Sequence, residues 1–267
     1  MTSTPARPKV GFHDFLNSRP ILHPFRHGLV DMPFELVIDT PANLAERFHG
    51  GELDMALIPS VEYGLSPDAV IVPVVCIASL GRVETVLLFS EMGIEDIESV
   101  SVDPKSRSSV AMLKILFKEK FGRDITIVKG GENPAHMLRA ADAGLVIGDA
   151  AFGVDREKYV VHDMGELWYQ YSGRPFVHAA LCARRGAKWP SAIKAIETAK
   201  EEGKNHRELI ARQEAKGLVS AETYLHYLTE RIYYDLGKEE KSGLEFFLSA
   251  AKAQGLVKRD TLEFYNE

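Results

Sequence analysis

Apolar and polar positions alternate in short runs through the first two thirds of the chain and take up a helical rhythm in the last third. Lys9-Val10-Gly11-Phe12 and Phe34-Glu35-Leu36-Val37-Ile38 read as strands, and Met55-Ala56-Leu57-Ile58 as a short buried one. Between the first two, Ser18-Arg19-Pro20 signals a helix start that Leu22, Phe25 and Arg26 continue. Thr40-Pro41 starts a second helix through Leu44 and Phe48, closed by Gly50-Gly51. This strand–helix order predicts a mostly parallel sheet covered by helices. Apolar runs at 70–79 and 83–90 follow, with Leu80-Gly81-Arg82 between them.

A second unit repeats the order. Ser99-Val100-Ser101-Val102 is strand-like, and after the turn Asp103-Pro104-Lys105-Ser106-Arg107-Ser108-Ser109 the residues Val110, Leu113, Lys114, Phe117 and Phe121 fall at helical spacing. The strand Ile125-Thr126-Ile127-Val128 and a helix from Asn133-Pro134 through Leu138 lead to Leu145-Val146-Ile147-Gly148-Asp149. In each unit a helix feeds a short buried strand ending in small polar residues, Pro59-Ser60 in one and Gly148-Asp149 in the other. Ligands of open α/β sheets bind at such strand ends. Two α/β lobes with facing strand ends are therefore expected: 1–90 in the first, 91–182 in the second, and 183–267 back in the first. Tyr159-Val160-Val161-His162-Asp163 reads as a strand and Leu167-Trp168-Tyr169-Gln170-Tyr171 as a helix. The long apolar run 175–183 is suited to crossing between lobes. Beyond Pro190, helices are expected at 192–203, 205–216, 221–234 and 239–254, with no strand, packed on the first lobe.

Composition narrows the function classes. With 267 residues, 45% apolar and 26% charged, the chain can bury real cores. A net charge of −6 without a long basic run argues against a nucleic-acid partner. Cys76 and Cys182 sit in apolar runs and read as buried thiols rather than a disulfide or a zinc site. No apolar stretch has membrane-spanning length, and residues 1–9 lack the apolar core of a signal peptide, so a cytoplasmic protein is expected.

The turn at 103–109 carries the clearest chemistry. The first N–H groups of a helix lack intrahelical partners and sit at the positive end of its dipole. With Arg107 beside Ser106, Ser108 and Ser109, this helix start suits a small anion, a carboxylate above all. The alternative is that Ser106 or Ser108 only caps the helix and Arg107 is solvated.

Several runs in order resemble the chorismate dehydratase family of the futalosine route to menaquinone. They are Phe15-Leu16-Asn17-Ser18-Arg19-Pro20, then Gly51-Glu52-Leu53-Asp54-Met55-Ala56-Leu57-Ile58-Pro59-Ser60, and Gly81-Arg82-Val83-Glu84-Thr85-Val86. Ser106-Arg107-Ser108-Ser109, Ile147-Gly148-Asp149-Ala150-Ala151 and the segment from Trp168 through Gly173-Arg174-Pro175-Phe176-Val177 complete the set, over roughly residues 8 to 185. The resemblance implies a two-lobed, type II periplasmic-binding-protein fold with the ligand cleft between the lobes. It implies dehydration of chorismate to 3-[(1-carboxyvinyl)oxy]benzoate, with neither metal nor cofactor. The chain departs from the family pattern at Ser108, where threonine is usual, and at Thr85, where serine is usual. It departs again at His178, where phenylalanine is usual, and near Leu181, where tryptophan is.

Chorismate carries two carboxylates and a hydroxyl leaving group. On this resemblance Ser106, Arg107, Ser108 and Ser109 would hold a carboxylate, and Asn17 and Ser18 would act at the reacting centre; an ordinary helix cap is the alternative for that pair. Ser60, Thr85, Gly148 and Asp149 would line the cleft; a cap, a strand hydroxyl and a tight turn are their alternatives. His13 and His178 titrate near neutrality but lie outside the family motifs, so neither is expected to be catalytic. Glu84 is expected at the surface, and Trp168 to Tyr171 in packing. Two rival functions fit the same fold: the 1,4-dihydroxy-6-naphthoate synthase of the same pathway, whose threonine-rich signature is absent here, and a non-catalytic small-anion binding protein. The oligomeric state is not readable.

Overall fold

β1 (Lys9–Phe12) turns three of its four residues inward, and a short 3₁₀ turn, Leu16–Ser18, leads from its end into α1 (Arg19–Arg26). β2 (Glu35–Ile38), α2 (Pro41–His49), β3 (Met55–Pro59), α3 (Ser60–Leu65) and the long β4 (Ala69–Ser79) follow. Thr40 starts α2 by accepting the Asn43 N–H, with Pro41 at the first helical position. The computed structural model describes residues 7–131, 133–215, 217 and 219–266. Lys216, the expected end of one helix, and residues 1–6 lie outside that set.

From β4 the chain passes into a second unit: β5 (Val86–Ser90), β6 (Ser99–Val102), α4 (Ser108–Phe121), β7 (Thr126–Lys129), α5 (Pro134–Ala140), β8 (Ala143–Ile147), β9 (Val160–Asp163) and α6 (Met164–Ser172). It returns through β10 (Phe176–Arg184) to α7 (Pro190–Asn205), α8 (Arg207–Glu214), α9 (Ala221–His226) and α10 (Lys238–Ala253). Two five-stranded sheets result, in the orders β2-β1-β3-β10-β4 and β7-β6-β8-β5-β9.

Both sheets are mixed, where a mostly parallel arrangement was expected. β1 runs parallel to β2 and β3, and β6 parallel to β7 and β8, as βαβ units require. β10 is antiparallel to β3 and β4, and β5 to β8 and β9. The physical reason is the crossing itself. β4 ends at the cleft side of its sheet, so the next strand enters the other sheet from the cleft and must run away from it.

The lobe boundaries expected at 90 and 183 need correction for the same reason. Val86–Ser90 pairs wholly within the second sheet, and Phe176–Arg184 wholly within the first. The crossings fall at 80–85 and 173–175.

The C-terminal region also departs from expectation. α7 packs on α1 and β4, whereas α10 packs on β10, α3 and also α4, so the tail reaches both lobes. The expected helix at 221–234 gives way at a π-helical turn, Tyr227–Arg231. Tyr233 then pairs with Ala78, and Phe264 with Ile71, along the otherwise open edge of β4. An unpaired edge strand seeks such a cover. Trp168 is fully buried with Phe176 and Phe247 around it, joining α6, β10 and α10 in packing. Cys76 and Cys182 are free and buried. Among the described residues no helix is long and apolar enough to cross a membrane.

Candidate functional site

The cleft-side strand ends of the two sheets enclose about 530 Å³ of atom-free space, counting its open mouth. Of the residues expected there, Asn17, Thr85, Arg107, Ser108, Ser109 and Gly148 line it. Ser18, Ser60, Ser106 and Asp149 are not among the residues that line it.

The segment after β1 forms one wall. Ser18 is fully buried and does not cap α1; its Oγ lies 3.0 Å from Nδ1 of His13. The Asn17 amide donates from Nδ2 to the Tyr227 hydroxyl at 3.1 Å, and the same hydroxyl lies 2.9 Å from Thr85 Oγ1. Asn17 of the first lobe and Thr85 of the crossing segment thus meet through a residue of the C-terminal region. Ser60 donates to the carbonyl of Val177 at 2.5 Å, so its hydroxyl supports β10 and is not offered to a ligand.

The start of α4 forms the facing wall. α2, α5 and α6 are capped by Thr40, Asn133 and Asp163, but α4 has no side-chain cap. Ser108 accepts the Val61 N–H at 3.2 Å across the cleft, and the buried Ser106 hydroxyl has no hydrogen-bond partner. The capping alternative therefore fails, and polar groups near this helix start are left unsatisfied. Arg107 is not simply solvated. Its guanidinium donates to Glu46 Oε1 at 2.8 Å and approaches Glu62 Oε1 at 3.8 Å, both in the first lobe.

Asp149 does not line the cleft. Its Oδ1 accepts the Leu16 N–H at 2.9 Å, tying the lobes together, and burial pushes its carboxyl above the ordinary range. Gly148 has a left-handed φ of 65°, and a Cβ there would stand 3.0 Å from the Phe15 ring, so glycine alone fits both backbone and space. Glu84, expected at the surface, is held instead: its N–H donates to Asp163 Oδ2 at 2.7 Å, and Arg231 Nε donates to its Oε1 at 2.8 Å.

Two histidines that the motifs pass over also line the cleft. Burial pushes His13 down to about 4 and His178 down to about 3, so both are neutral at pH 7. His178 sits where the register of β10 against β4 shifts, between Val177 and Ala179, and its Nε2 lies 2.9 Å from Ser79 Oγ. Such irregularities re-aim side chains beside sites. Position alone could have raised His13, which closes a strand-like run, whereas His178 lies inside one. Tyr227 gave no signal, because 221–234 reads as continuous helix. Among the described residues no group of three or more His, Cys, Asp or Glu side chains is arranged to hold a metal ion.

Two mixed sheets, crossed twice by the chain and facing each other across a cleft at their strand ends, define a two-lobed binding-protein architecture. A protein from Archaeoglobus fulgidus is similar over 94% of this chain and 98% of its own, with a TM-score of 0.76 at 18% identity. The periplasmic aliphatic sulphonate binding protein SsuA from Escherichia coli matches over 97% and 96%, with a TM-score of 0.64 at 16% identity. The fold is that of the periplasmic binding proteins.

Within that fold the chain belongs to the menaquinone biosynthesis family, whose sequence model matches residues 8–253. The match extends through α10, well beyond the runs that carry the resemblance. Chorismate dehydratase from Thermus thermophilus is 29% identical over 251 residues, covering 85% of this chain and 90% of the relative. The 1,4-dihydroxy-6-naphthoate synthase from Streptomyces coelicolor is 30% identical over 247 residues, covering 82% of each. Both relatives are named as enzymes.

Proposed function

We propose that the protein is a chorismate dehydratase, a carbon–oxygen lyase that converts chorismate to 3-[(1-carboxyvinyl)oxy]benzoate and water in the cytoplasm. The observation that carries this reading is the pairing of walls in one cleft. Asn17 and Thr85 stand together on one side, and Arg107, Ser108 and Ser109 surround an uncapped helix start on the other. A dianion with a hydroxyl leaving group needs both kinds of wall.

One carboxylate binds at the start of α4, where the backbone N–H groups and Arg107 donate to it. The ring proton is acidified by conjugation to the ring carboxylate, and donors on that carboxylate stabilise the dienolate as it forms. The proton passes to the substrate's own enolpyruvyl carboxylate. The ring C–H and C–O bonds break, water leaves, and the ring becomes aromatic; no electron leaves the substrate, so no redox partner is required. The amide of Asn17 can both donate and accept, and it orients the departing hydroxyl or the enolpyruvyl group.

A second reading, the 1,4-dihydroxy-6-naphthoate synthase, gains from the 30% identity to that enzyme and from the neutral histidines in the cleft. Incubating the purified protein with chorismate, and following the ultraviolet spectrum and the mass of the product, decides between them. Loss of one water from chorismate is expected. Unchanged chorismate that is nevertheless bound leaves an anion-binding protein, and turnover of the naphthoate synthase's substrate alone selects the second reading.

A further inference from the structure

Tyr227 opens the π-helical turn Tyr227–Arg231 that continues α9. Turns of this kind are rare and frequently fall at functional sites. Both ends of this one reach the cleft wall. The phenol of Tyr227 is buried between Asn17 Nδ2 and Thr85 Oγ1. Four residues on, Arg231 holds Glu84, the neighbour of Thr85.

Glu84 is the one non-glycine residue with a left-handed φ, 65°, among the described residues. Such a residue is strained and persists only where its surroundings fix it. Here Asp163 accepts its N–H and Arg231 grips its carboxylate. The geometry of the phenol is equally specific. Asn17 Nδ2 can only donate, so the phenol oxygen accepts from it; Thr85 Oγ1 donates to the Val83 carbonyl at 3.4 Å, which leaves the phenol proton for Thr85 Oγ1. Burial pushes the phenol far up, so it never ionises near neutral pH. With Nδ2 committed to Tyr227, the amide of Asn17 has one orientation.

We propose that Tyr227 is a positioning residue for the dehydration: it sets the orientation of the Asn17 amide and the Thr85 hydroxyl, while Arg231 fixes the strained Glu84 that presents Thr85. This inference rests on the dehydratase reading for its chemistry. The fold routes the C-terminal region to a place where Asn17 and Thr85 come together, and the tie is made there by a group outside the cleft lining.

Tyr227→Phe is the test, because it keeps the ring that packs edge-on against Phe152 at 5.4 Å between centroids and deletes only the hydroxyl. With chorismate, kcat is expected to fall on the order of 100-fold, as for a misplaced reacting group, with KM changed by less than about threefold. In an Asn17→Ala, Thr85→Val background the same substitution is expected to have no further effect. A kcat within twofold of wild type, or an equal drop in that background, overturns the inference. If wild-type protein leaves chorismate unchanged, the dehydratase reading fails separately. The positioning tie is then read from the Asn17 side-chain amide by nuclear magnetic resonance. Its protons should shift and exchange faster with solvent in Tyr227→Phe, and unchanged resonances overturn it.

Discussion

Acidification should unfold this protein through its cleft. His13 is 4% exposed, and burial holds it neutral down to about pH 4; His178 stays neutral to about 3. In the unfolded chain both return to about 6.5. Because the folded pKa values are depressed, the unfolded state binds more protons below pH 6.5, so stability is full above that pH and falls as the pH drops. At pH 5 the gap of about 1.5 units is worth about 2 kcal/mol per histidine, or about 4 kcal/mol for the pair. That is a large part of the 5–15 kcal/mol typical of a folded protein. His23, lowered by burial and by neighbouring His27 and His206, adds in the same direction. Asp149, raised by burial, opposes it only in the acid range above its ordinary 3.8. Urea unfolding free energies measured between pH 7 and pH 5 should fall with a steepening slope. His13→Gln should flatten that slope by up to about 1.4 kcal/mol per pH unit. A free energy that stays level from pH 7 to pH 5 would refute the reasoning.

Two further predictions address the facing wall and the support beneath the other. Arg107→Ala removes a charge-assisted carboxylate contact worth about 1.5–3 kcal/mol, and KM for chorismate should rise about 10-fold or more; an unchanged kcat/KM would take Arg107 out of the site. Gly203→Ala would place a Cβ 1.7 Å from the Pro20 carbonyl oxygen, where α7 lies against the start of α1. It should lower stability by about 1–3 kcal/mol in thermal unfolding, and an unchanged melting temperature would contradict that close packing.

The βα units were legible because their signals are local. Alternation, Thr40-Pro41 and Asn133-Pro134 each act over a few residues, and the strands and helices they predict are present. Sheet membership was not, because the apolar run 83–90 looks the same whichever sheet it joins, and pairing with β8 and β9 is set by distant residues. The polar cleft residues divided for a related reason. A serine at a strand end serves a ligand or the backbone equally well, and only the fold shows that Ser60 is taken by Val177 while Ser109 faces the cleft. Glu84 was misread because its ion pair with Arg231 spans 147 residues of chain. Nothing in the spacing of 221–234 marks the point where the helix widens at Tyr227.

The position of β10 has a consequence for synthesis. It lies between β3 and β4, pairing with both, and β4 has no other strand of its sheet beside it. Every strand of the second sheet is made before β10, since β5 through β9 lie between residues 86 and 163. On the ribosome the middle of the chain can therefore complete its sheet while the earlier segment waits with a vacant slot one strand wide. Until residues 176–184 emerge, the inner edges of β3 and β4 stay open to the wrong strand, in a region that is almost entirely apolar. The first sheet is thus the later of the two to close, and the interval before β10 arrives is when the nascent chain is most exposed to aggregation.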